Sequence, residues 1–152
     1  GNEAQREVVL SAQFWHGDYV PYNHQHVRNA MRANGFWDLD VEQAGNYQIS
    51  LRRWPRESAL SFEDTYPKPQ LDSARFYPRD KYFQAPSRVF KVSEARLQVG
   101  DFDQTVTVAA TQEEIQFQVP LPEGEVFLQT WLMTETKDTV GAYYVYLEPV
   151  AE

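Results

Sequence analysis

Apolar and polar residues alternate one for one along most of the chain, a period that belongs to extended strands with one face buried and one in water. Ile115, Phe117 and Val119 alternate with Gln116 and Gln118, and Ala95, Leu97 and Val99 oppose Glu94, Arg96 and Gln98. Val106 and Val108 alternate with Thr105 and Thr107; Trp37, Leu39 and Val41 alternate with Asp38, Asp40 and Glu42; Tyr47, Ile49 and Leu51 alternate with Gln48 and Ser50. Ala44-Gly45-Asn46 is a turn between the last two runs, which predicts a hairpin. Two longer segments, 125–134 and 141–148, are rich in Val, Phe, Trp, Tyr and Leu, as half-buried strands are. With a short strand near Val8 and Leu10 the count is about eight.

Strands of this length, with turn signals at roughly ten-residue spacing, predict an all-β fold: an antiparallel β-sandwich of jelly-roll type. One short helix is expected within 24–32, ended by Asn34-Gly35. The region after Pro55 carries Pro67, Pro69, Pro78 and Pro86 without any period, so 57–86 is expected to be a long irregular loop draped on the sandwich by its aromatics. Residues 1–152 make one domain, and the 42% apolar and 14% aromatic content is enough for a true core.

Charge narrows the possible partners. Twenty-two acidic residues against 14 basic ones give a net charge of −8, which repels phosphate backbones and anionic lipid, and no apolar run is long enough to span a bilayer. Neither nucleic acid nor membrane is an expected partner. The absence of cysteine removes disulfides, thiolate nucleophiles and zinc–thiolate sites together. The chain opens Gly1-Asn2-Glu3 without Met and reads as a segment of a longer polypeptide, so it holds no information on a signal peptide.

No catalytic residue is assigned, since no serine sits in a G-x-S-x-G turn. Polar chemistry concentrates in 15–26, which reads WHGDYVPYNHQH. His24 and His26 at i, i+2 suit a metal if extended, with Asp18 joining them; without a second carboxylate or a third His beside them the reading is a polar loop and no metal site is assigned. Asn23 and Gln25 offer donor and acceptor together, as recognition of hydroxyl or sulfate oxygens requires. Trp37 and Trp131 occupy strand positions and belong to the core, whereas Trp15 and Trp54 suit a sugar-stacking surface. Arg52 and Arg53 are adjacent in a strand and point to opposite faces, each expected to meet a carboxylate. Asp101 and Asp103 offer loop carboxylates of the kind that hold Ca²⁺ in jelly rolls, but read as an ordinary acidic turn.

Three stretches carry a family resemblance: Pro21-Tyr22-Asn23-His24-Gln25-His26-Val27 leading into Asn34-Gly35-Phe36-Trp37-Asp38-Leu39-Asp40-Val41; Ala44-Gly45-Asn46-Tyr47-Gln48-Ile49-Ser50-Leu51-Arg52-Arg53-Trp54-Pro55-Arg56-Glu57; and Gly141-Ala142-Tyr143-Tyr144-Val145-Tyr146. In this order they resemble the C-terminal region of bacterial formylglycine-dependent arylsulfatases, with support from 94–100 and 128–131 and a break across 58–92. The resemblance implies a non-catalytic accessory domain that packs on a sulfatase catalytic domain in cis, borders its substrate cleft, and lies in the periplasm or outside the cell. The formylglycine precursor motif and the Ca²⁺ cage would then belong to the other domain, leaving no cofactor in this chain. The sandwich and its aromatic last strand are also similar to jelly-roll carbohydrate-binding modules, which implies the alternative of an autonomous module for a sugar or sulfated glycan. On the first reading Trp15, Asp18, Tyr22, Asn23, His24 and Gln25 are expected on one exposed edge near Arg53 and Trp54, the face presented to the catalytic domain; on the second, Trp15, Trp54 and exposed tyrosines take the sugar.

Overall fold

The computed structural model describes residues 7–66 and 87–150. Among these lie nine strands: β1 (Val8–Ser11), β2 (Phe36–Val41), β3 (Gly45–Arg52), β4 (Val92–Val99), β5 (Phe102–Thr107), β6 (Ile115–Leu121), β7 (Gly124–Thr134), β8 (Thr139–Val140) and β9 (Tyr144–Pro149). The helix α1 covers His24–Arg28. All pairings are antiparallel and form two sheets, ordered β1-β9-β3-β6 and β2-β7-β4-β5, with β8 beside the end of β7. This is the jelly-roll sandwich that the alternation predicts.

The period of two fixes which residues are inside. Ile49 stands in register with Phe117 and Leu147, and Leu51 with Ile115 and Val145, and all six are buried. Ala95, Leu97 and Val99 of β4 and Val126, Leu128 and Leu132 of β7 face them from the second sheet. Asp38, Asp40, Gln116 and Gln118 are exposed, as a core-facing partner set demands. Val41, Val119 and Phe117 are buried as expected, while Leu39 and Tyr47 are only half-buried at the sandwich rim.

Two expectations need correction. The runs 37–41 and 47–51 do not form a hairpin: β2 pairs with β7, whereas β3 pairs with β6 and β9. The turn at 42–44 carries the chain from one sheet to the other, and alternation specifies faces without specifying partners. Trp131 is not core either. It lies in the outward phase of β7, half-buried beneath the Arg96 guanidinium at 4.5 Å from the ring centre.

The described part of the long loop, 57–66, starts with a 3-10 turn at Arg56–Ser58 and is otherwise irregular. It is fastened by Phe62, whose ring is buried and whose N–H donates to the Gln112 carbonyl, and by the Glu63 N–H on Ala110. The expectation for Phe76, Tyr77, Tyr82 and Phe83 lies outside the described residues.

Candidate functional site at the loop end

The end of β3 and the segment around α1 meet at one end of the sandwich. α1 is short because it is capped at both ends: Asn23 Oδ1 accepts from the His26 N–H at 3.1 Å, and one residue after the C-cap Ala30, at φ 45°, turns the chain away, with the Ala30 N–H on the Val27 carbonyl at 3.1 Å and the Met31 N–H on the His26 carbonyl at 2.9 Å. Asn23 is therefore a cap before it is a recognition group, with only its Nδ2 left, 3.4 Å from His26 Nε2.

Arg53 organises this end from inside. Its side chain is fully buried, and its guanidinium donates to three main-chain carbonyls, those of Phe62 (3.2 Å), Arg28 (3.1 Å) and Arg88 (2.5 Å), while lying 4.5 Å from the Trp54 ring centre. Burial pulls its pKa down to about 10, which still leaves the group charged at neutral pH. Arg53 thus meets carbonyls in place of the expected carboxylate. Arg52, on the other face, does meet acids: Glu114 at 3.3 Å and Glu113 at 3.5 Å.

Of the eight residues expected on one exposed edge, Tyr22, Asn23 and Asp18 are exposed and His24 and Gln25 half-buried. Trp15, Arg53 and Trp54 are buried, at 3%, 0% and 0% exposure, and present no surface. Trp15 fills a slot that two glycines leave open. A Cβ on Gly35 or Gly141 would come within 2.6 Å of its ring, and its indole N–H donates to the Tyr19 carbonyl at 3.0 Å. Trp54 is roofed by Tyr66, with ring centres 5.8 Å apart, and His24 stands edge-on to Tyr66 at 4.8 Å and 6.5 Å from Trp54. The fold does bring 22–25 to the end of β3, but through the sandwich and not through a hairpin.

A recess of about 180 Å³ remains, lined by Gln13, Tyr22, Asn23, His24 and Tyr144 with the floor at Ala12, Val27 and Tyr143. Tyr22 stands 67% exposed at its rim, edge-on to His26 at 4.7 Å. Burial, reinforced by the Arg28 charge, holds the His24 pKa below the ordinary histidine value, so the imidazole is neutral at pH 7 and offers one donor and one acceptor. Burial also raises the Tyr143 and Tyr144 phenols, and Tyr143 donates to the Met31 carbonyl at 2.7 Å. The lining is neutral throughout. Among the described residues no three His, Asp or Glu side chains converge as a metal cage, and both oxygens of Asp103 are engaged by Arg96.

Sequence reasoning passed over a second surface. On the outer face of the second sheet, Phe36 and Phe127 meet edge-to-face at 5.4 Å, 36% and 59% exposed. The signal was present as a break of phase: Phe127 occupies the slot between Glu125 and Gln129, where alternation calls for a polar residue.

No protein-family model matches the sequence, and no curated protein matches it. Solved structures share the fold, among them these two. One is a ruminal GH26 endo-β-1,4-mannanase, at TM-score 0.52 and 10% identity, where the match covers 97% of this chain and 27% of the mannanase. The other is the CBM35 module of Cellvibrio japonicus Abf62, at TM-score 0.51 and 14% identity, with 95% of this chain and 94% of that module covered. The chain therefore spans about a quarter of the first and nearly all of the second, and the likeness is one of fold.

Proposed function

We propose that the chain is a non-catalytic carbohydrate-binding module that takes a sugar unit in the loop-end recess beside Tyr22. The observation that carries this reading is the recess itself, an exposed phenol ring on the rim of a cavity whose polar lining is neutral and two-way in hydrogen bonding. A pyranose has an apolar C–H face and a hydroxyl rim, so it needs an aromatic wall and groups that both give and accept, which Tyr22, Asn23 Nδ2, neutral His24 and Gln13 provide. At about 180 Å³ the recess is smaller than sites for drug-sized ligands, ~300–1,000 Å³, and suits one ring or a chain end. The match to a carbohydrate-binding module over nearly its whole length supports this reading. A periplasmic or extracellular setting follows from it, since polysaccharide is met there. The alternative of packing on a sulfatase catalytic domain rests on the three sequence stretches alone.

Titration calorimetry with β-1,4-manno-, gluco- and xylo-oligosaccharides tests the reading. Binding to at least one of these is expected, and Tyr22→Ala should weaken it at least tenfold, or ~1.4 kcal/mol. Equal affinity of the variant and the parent chain would refute a role for the recess. Tyr22 is preferred to Asn23 as the probe because removing the Asn23 cap alone costs ~1 kcal/mol of stability.

A further inference from the structure

The outer face of the β2-β7-β4-β5 sheet carries a second, open recess. Cross-strand register sets Phe36 opposite Gln129 and Gln129 opposite Gln98, with Asp103 of β5 next in the same row. Phe127, one step along, stands over this row edge-to-face with Phe36. Together Phe36, Phe127, Gln98, Gln129 and the Gly100 turn line an open cavity of about 380 Å³, twice the size of the loop-end recess. The turn is fastened at the cavity edge by Gly100, which at φ 54° folds back and donates its N–H to the Phe127 carbonyl. Gln129 is oriented by its neighbour, donating to Asn34 Oδ1 at 3.3 Å while Asn34 Nδ2 holds the Thr130 carbonyl at 3.0 Å. Gln98 is exposed.

We propose that this face binds a neutral glycan chain laid across the strands, with sugar rings against Phe127 and Phe36 and hydroxyls on the carboxamides of Gln98 and Gln129. Neutrality follows from charge. The cations of the face are already taken, Arg96 by both oxygens of Asp103 and Lys137 by Glu94 at 2.8 Å, while Asp38 and Asp101 stay exposed. An anionic ligand would meet net negative charge with no unpaired partner. A chain longer than one ring follows from the reach of the row: four strands side by side span ~14 Å. A protein partner fits less well, because two exposed rings among amides and acids fall short of the ~800 Å² per partner of a standard interface.

The site is distinct from the loop-end recess and shares no residue with it. The test uses the full chain, labelled with ¹⁵N and titrated with a neutral β-1,4-linked hexasaccharide of mannose or glucose. Amides of Gln98, Gly100 and Gln129 are expected to shift, and to shift equally in Tyr22→Ala. Phe127→Ala should weaken those shifts at least tenfold in apparent affinity while leaving the shifts near Asn23 intact. Gln98→Ala should act in the same direction. If no hexasaccharide moves the face amides at millimolar concentration, the proposal fails, whatever happens at the recess. If the same amides shift instead with protein concentration, and Phe127→Ala abolishes that dependence, the face joins two copies of the chain and the glycan assignment is overturned.

Discussion

On the β1-β9-β3-β6 sheet the outward residues Ser50 and Tyr146 are buried beneath Arg56, and Arg52 is buried against Glu114; on the β2-β7-β4-β5 sheet Phe36 and Phe127 point outward and stay open. Arg56 sits 4.2 Å from the Tyr146 ring centre and is held by Glu7, by Glu148 at 2.9 Å and by Glu114 at 3.3 Å. Its backbone N–H donates to the Tyr146 hydroxyl oxygen at 3.0 Å. The first sheet thus shows how this fold covers an aromatic on an outer face. The second sheet has Arg96 spread in the same way over Trp131, yet leaves the Phe36–Phe127 corner bare. An open aromatic pair is therefore not forced by the architecture, and it is this uncovered corner that the proposed glycan face uses.

The contrast breaks most visibly at Arg56. Arg56→Ala strands three carboxylates beside one another and uncovers Tyr146, so a loss of roughly 2 kcal/mol is expected in urea unfolding. A loss below half of that would mean the first sheet is not held closed by the cation. Acid should act on the same face next. For Glu114, burial pushes the pKa up, but hydrogen bonds from Gln116 and Arg56 outweigh it and hold the group below the ordinary glutamate value. For Glu148 the hydrogen bonds to Glu7 and Arg56 lower it, but the same contact raises Glu7, so that pair's contributions oppose each other and Glu114 carries the acid response. Carboxyls depressed in the folded state contribute stability above their unfolded pKa and lose it as the pH falls through the folded one. Melting temperature should therefore decline from about pH 4.5 downward, and decline less steeply in Glu114→Gln. Arg96→Ala is milder: the pair with Asp103 is solvent-exposed, so thermal unfolding should register a smaller destabilisation than Arg56→Ala, mainly from the lost Trp131 contact. Phe127→Ser comes last, within ~0.5 kcal/mol of the parent chain in stability. A larger loss would show that the open face is structural packing after all.

Strand faces were readable because burial on one side writes itself into every second residue, as in 115–119. Partner choice was not, because Gly45 and its neighbours mark a turn equally well within a sheet or between sheets. The loop end was half legible. Tyr22, Asn23 and His24 are local in sequence, and so is the cap they contain. Whether Trp15 is exposed depends on Gly35 and Gly141, the latter more than a hundred residues away, and nothing near Trp15 states it. Trp54 owes its burial to Tyr66 in the same manner. Phe36 and Phe127 were overlooked for the opposite reason. An aromatic in a strand reads as core until its phase is checked against its neighbours.

Arg53 gives the loop end a collective behaviour. Its three acceptors belong to chain segments 9, 25 and 35 residues away, and releasing any one leaves a buried cation short of a partner. The segments at 28, 62 and 88 therefore share one opening equilibrium, and their amides should exchange with solvent at a common rate. A sugar that tightens α1 would slow that exchange in all three at once, carrying the occupancy of a small recess to parts of the chain it never touches.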